Sequence, residues 1–144
     1  MSRAVFPLAQ PGAEAGTAEL ELCRDAAWDY ETDRPVFLDG EPVRCAGREA
    51  VLSWAWNALH TPRFRYEMFS WAYGNEAESL IGTSYSEALK RSEAARYVRE
   101  ALEGNPYVTG VSNVSTEFDG TAGKLSISCK IETIYGTEEV TWDV

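Results

Sequence analysis

Glu76 and Glu78 are the first candidates for chemistry, because two carboxylates about 5–9 Å apart across a cleft can cleave a glycosidic bond. Two residues apart on one helix they point to different faces, so a shared cleft is not expected. A favourable position near the positive end of that helix accounts for both acids. Nucleophilic catalysis needs a base beside a serine or cysteine, and the single histidine, His60, closes a helical stretch before Thr61 and Pro62. It reads as a C-terminal helix cation or hydrogen-bonding residue. Cys23, Cys45 and Cys129 are widely spaced and form no C-x-x-C pair, so they read as reduced, partly buried thiols. No ligand spacing for a metal and no glycine-rich phosphate motif is present. The expectation is a protein with no catalytic, metal-ligating or cofactor-binding residues and no cofactor. Phe64, Tyr66, Phe69, Trp71 and Tyr73 alternate with Arg63 and Arg65, a pattern that could stack single-stranded nucleic acid. Thirteen Lys and Arg against 23 Asp and Glu give a net charge of −10, which repels phosphate backbones and anionic lipid. Nucleic acid and membrane are therefore excluded as partners, and the aromatics are left to core packing or a protein interface.

The elements that must position these residues fit one domain, since 144 residues with 44% hydrophobic and 25% charged side chains match an ordinary soluble chain. Met1–Ala18 has no apolar run long enough for a signal peptide; its prolines, glycines and alanines suggest an extended or loosely docked arm, 1–18, preceding a domain at 19–144. From Ala18 to Val36 the apolar residues alternate as in two short strands, and Phe37 and Leu38 lead into an Asp39-Gly40 turn. Val51, Leu52, Ala55, Trp56 and Leu59 recur at helical spacing over Arg48–Leu59, and Pro62 ends that helix. Phe64, Tyr66, Met68 and Ser70 then alternate against Arg65, Glu67, Phe69 and Trp71, predicting a strand covered on both faces and broken at Gly74.

Asn75 is positioned to cap a short helix through Ile81. Ser84 to Glu87 matches a capping box for a helix to Glu103 that would place Tyr85, Leu89, Ala95, Val98 and Leu102 along one face. Tyr107–Phe118, Lys124–Ile134 and a last strand marked by Val140, Trp142 and Val144 alternate as a β-meander. The basic groups concentrate in the middle: net charge is −5 over 1–47, −1 over 48–104 and −4 over 105–144. The fold class expected is α+β, two main helices packed on a mostly antiparallel sheet, with a C-terminal β-meander ending in a free edge strand. Such an edge offers unpaired backbone groups to another chain, or is simply blunted by Glu138, Glu139 and Asp143; both readings stand at this point.

The run LHTPRFRYEMFSWAYGNEAESLIG, Leu59 to Gly82, is similar to the baseplate wedge, or sheath-initiator, proteins of contractile phage tails and phage-tail-like bacteriocins, a family often labelled tail lysozyme-like. The resemblance continues through Trp28, Asp29, Tyr30 and Glu31, the helix ending at Leu59, the Ser84–Leu102 helix and Thr133 to Gly136, covering about residues 20–144. It implies a structural subunit, not an enzyme, that links the baseplate wedge to the first sheath ring and initiates sheath assembly by β-strand addition. Implied partners are the tail sheath protein and other wedge proteins, with the tail tube as a further candidate and six copies around the tail axis. The place implied is the baseplate of a virion or tail-like particle, assembled in the bacterial cytoplasm. The expected wedge-facing residues are Arg63, Arg65, Tyr66, Trp71, Tyr73, Gly74 and Glu76, and the expected strand-accepting residues are Glu138, Val140, Trp142 and Val144. The alternatives are a peptidoglycan-cleaving tail lysozyme and a stand-alone host adaptor domain.

Overall fold

Leu125, Ile127, Cys129 and Ile131 alternate with Ser126, Ser128 and Lys130, which gives the central strand of the C-terminal sheet one buried and one solvated face. The structure, a computed structural model, describes residues 19–70 and 73–143; the expected arm 1–18, Trp71 and Val144 lie outside the described residues. Among the described residues six short strands come first: β1 (Arg24–Ala26), β2 (Trp28–Asp29), β3 (Arg34–Pro35), β4 (Phe37–Leu38), β5 (Glu41–Pro42) and β6 (Arg44–Ala46). They pair antiparallel as β1 with β6, β2 with β3 and β4 with β5, the last closed by the expected Asp39-Gly40 turn. Helix α1 (Arg48–His60) follows, then a 3-10 turn at Ala77–Leu80, helix α2 (Glu87–Leu102), and strands β7 (Val108–Asp119), β8 (Lys124–Thr133) and β9 (Gly136–Asp143).

The last three strands form one antiparallel sheet in the order β7-β8-β9, so the expected mixed α+β class and C-terminal meander hold. Asp119 builds the first turn by accepting hydrogen bonds from the backbone N–H groups of Thr121 (2.9 Å) and Ala122 (3.2 Å). One apolar cluster joins Val51, Ala55 and Leu59 of α1, Ala94, Val98 and Leu102 of α2, and the inner face of the sheet. Burial of these side chains is what orders two helices that are otherwise short for independent stability.

Three expectations need correction. Residues 64–70 form no strand: the segment is a chain of turns in which Phe64 is 54% and Met68 82% exposed, and among the described residues the only bridge nearby is Pro62 with Asn75. Alternation in sequence mimics a strand, but among the described residues no neighbouring strand supplies the ladder. The helix cap is Ser86, two residues beyond the expected Ser84: its Oγ accepts from the Leu89 N–H at 3.3 Å. Starting there, α2 turns Ala94, Val98, Ala101 and Leu102 inward and leaves Tyr85 and Leu89 exposed, contrary to the expected apolar face.

Candidate functional site

Two surfaces gather the residues singled out by the sequence. The first is a loop whose ends are tied together. Arg63 N–H donates to Asn75 O (2.9 Å) and Asn75 N–H to Thr61 O (3.0 Å), so residues 61–63 and 73–75 form a neck. Gly74 is required at that neck: its φ is 96°, and a Cβ there would lie 2.6 Å from Thr61 O and 3.1 Å from Arg63 Cα. Asn75 is buried and works in both directions. Its Oδ1 accepts from the N–H of Ala77, the first residue of the 3-10 turn, at 2.9 Å, but the cap expected at Asn75 falls one residue later, on Glu76, which makes no side-chain cap. The Asn75 Nδ2 donates to the terminal carbonyls Leu59 O and Ala58 O of α1. His60, the last residue of α1, stacks on Trp56 (4.1 Å, 27°) with Nδ1 2.8 Å from Trp56 O.

Above the neck the expected wedge-facing residues divide. Arg63 Nη1 meets Glu76 at 3.3 Å and reaches Glu100 of α2 at 3.7 Å, and Arg65 meets Glu78 at 3.2 Å. The two glutamates considered for hydrolysis are thus each paired to an arginine, and the arginines hold the loop to its own chain. Tyr73 packs on Phe69 (4.6 Å) and edge-on to Trp54 (6.4 Å), and burial pushes its phenol pKa up. Tyr66 stays exposed, whereas Trp71 lies outside the described residues. Met68 was not selected from sequence, and Phe64 and Phe69 were noted only as part of an aromatic cluster; all three are exposed on this loop. The available signal was the framing of an apolar run by Pro62 and Gly74, which marks a loop more than a strand. A cleft of about 360 Å³ at the base of the loop is lined by His60, Arg65, Tyr66, Glu78 and Asp143 among others. It brings the loop beside the end of β9.

The second surface is β9. It pairs with β8 in an uninterrupted register from Thr133↔Gly136 to Ser126↔Asp143, and among the described residues no strand pairs with its other side. The two-residue turn Ile134–Tyr135 makes Gly136 a hydrogen-bonding position, so by alternation Thr137, Glu139 and Thr141 turn their N–H and C=O groups outward. β7, the opposite edge, differs. Its register slips between Val108 and Gly110 and again between Ser112 and Ser115, with Asn113 at φ 52°. Of the expected strand-accepting residues, Glu138 is held by Arg48 of α1 at 3.1 Å and Val140 packs against the core. Trp142 is 3% exposed, with its indole N–H unpartnered inside the core, and by the same alternation its backbone groups face β8, so it offers nothing to an added strand directly; Val144 lies outside the described residues. Among the described residues no three His, Cys, Asp or Glu side chains are grouped to hold a metal ion, and burial pushes the Cys129 thiol up to about 11.

Helices on one face of an antiparallel sheet, a smooth open edge and an exposed aromatic loop define a mixed α+β protein whose distinctive features are surfaces rather than a pocket. The chain belongs to the contractile injection system sheath initiator family, whose model matches residues 24–136. The match runs from β1 to the first residue of β9, so the rest of β9 lies beyond it. The chain is also 30% identical over 116 residues to the phage-like element PBSX protein XkdS of Bacillus subtilis (strain 168), covering 76% of this chain and 81% of that relative. Membership supports a structural role in baseplate and sheath assembly.

Proposed function

We propose that this chain is a non-catalytic subunit that joins the baseplate wedge to the first sheath ring and starts sheath assembly by accepting β-strands along β9. The observation that carries the reading is the contrast between the two sheet edges: β9 is unbulged and β7 is interrupted twice. A strand added at β9 gains main-chain hydrogen bonds at Thr137, Glu139 and Thr141. The wedge partner meets the loop bearing Arg63, Arg65, Tyr66, Trp71, Tyr73, Gly74 and Glu76, chiefly through exposed Tyr66, Met68 and Phe64. Six copies around the tail tube, assembled in the bacterial cytoplasm, complete the proposal. The ion pairs of Glu76 and Glu78 favour a structural over a lysozyme-like role for both acids.

Burial of Trp142 makes truncation of β9 an unclean test, because it would open the core. Thr141→Pro is cleaner. It removes one outward N–H, leaves the β8 ladder in place, and puts proline where edge strands tolerate it. Electron micrographs of particles carrying Thr141→Pro should show baseplates and tubes without sheath, with the purified subunit still folded by circular dichroism. Normally sheathed tails would overturn the reading.

A further inference from the structure

Resting on that reading of β9, we propose that the strand it accepts is basic, with Lys or Arg at two positions four residues apart on the solvent face and apolar residues between them on the inner face. β9 carries Glu138, Glu139 and Asp143 and no basic residue. Glu138 is answered within the chain by Arg48 at 3.1 Å. Glu139 and Asp143 are different. Both are exposed and on the outer face, about 14 Å apart along the strand at about 3.4 Å per residue. Asp143 accepts a hydrogen bond from Ser126 Oγ, and Lys130 stands across from Glu139 in register without a salt bridge to it. Neither acid has an ion-pair partner among the described residues.

A strand laid along the outer side of β9 brings its side chains directly opposite these acids, about 5 Å away between Cβ atoms, where opposite charge stabilises and like charge destabilises. Its inner-face residues fall beside Val140 and Trp142, where Val140 is only partly covered by the core. The resulting pattern is basic, apolar, polar, apolar, basic, with the polar position facing Thr141. An edge kept merely from aggregating needs charge of either sign; an edge that selects its partner needs one sign, and β9 has one.

The test uses the full chain and three synthetic peptides, Thr-Lys-Val-Thr-Val-Lys-Thr and its counterparts with Glu or Ser in place of both lysines. The sequences are palindromic, so parallel and antiparallel addition read the same pattern. Titration at low salt is followed by the amide NMR shifts of Thr137, Glu139 and Thr141. The Lys peptide should bind about tenfold more tightly than the Glu peptide, a gap that narrows at 1 M salt. The preference should invert in the doubly substituted Glu139→Lys, Asp143→Lys chain, whose changes lie on exposed side chains. Equal binding of all three peptides would overturn the charge pattern while leaving strand addition at β9 standing. Failure of every peptide to shift those amides would overturn both.

Discussion

Gly74 shows how much of the candidate surface depends on a single position. With Thr61 O where its side chain would be, the neck of the aromatic loop closes only because that side chain is missing. Gly74→Ala should therefore cost about 2 kcal/mol or more in denaturant unfolding, since the colliding atoms are backbone. Gly82, also at positive φ but with open space around it, supplies the control: Gly82→Ala should cost only about 1 kcal/mol of strain. Equal losses would mean that the neck is not a close approach. Sequence reasoning marked Gly74 as an interface residue and missed this internal role, because nothing local shows which carbonyl will lie against it. The pairs Arg63–Glu76 and Arg65–Glu78 were hidden for a related reason. A separation of thirteen residues has no periodic signature in helix or strand, so two arginines that looked like a basic patch turn out to be neutralised by their own chain. His60 was legible because helix ends impose local demands that few side chains can meet, whereas the cap read at Asn75 falls on Glu76, and Asn75 instead bridges the end of α1 to the first N–H of the 3-10 turn.

Elements built on strict periodicity were legible in the same way: α1, α2 and the meander lie where the apolar spacing predicts, to within a few residues. The six short strands were seen only in part, since two- and three-residue strands carry too few alternations to register. What fixes them to α1 is also non-periodic. Ser53 Oγ donates to Ala26 O at 2.7 Å, and Asp33, just before β3, receives the indole N–H groups of both Trp28 and Trp56 at 2.9 Å. The two indole donors, Trp56 foremost, hold the Asp33 carboxyl below the usual carboxylate range. The unfolded chain binds a proton at Asp33 near the ordinary value of about 3.9, and the folded chain only at lower pH. Its contribution is complete above that ordinary value and fades as pH falls through the depressed one. A step in tryptophan emission below about pH 4 should follow, and Asp33→Asn should remove it. An identical step in both chains would place the acid transition elsewhere.

At the scale of the whole molecule, helices on one face and a polar strand face on the other leave the sheet margins as the places where further backbone can join. The register slips in β7 close one margin, and β9 keeps the other straight. If β9 accepts strands as proposed, the subunit is, in the language of polymers, monofunctional. Two copies that met through β9 would satisfy one another about a twofold axis and stop there, whereas a unit with two straight margins would grow without limit. Concentrated solutions should accordingly sediment as monomer or pair, without thioflavin-binding fibres, and a ladder of higher species would show that β7 is no barrier. On the proposed reading of β9, a single valence ends chains as readily as it begins them: each copy would have capacity for one joined strand margin, and the number of copies would set the number of starting points.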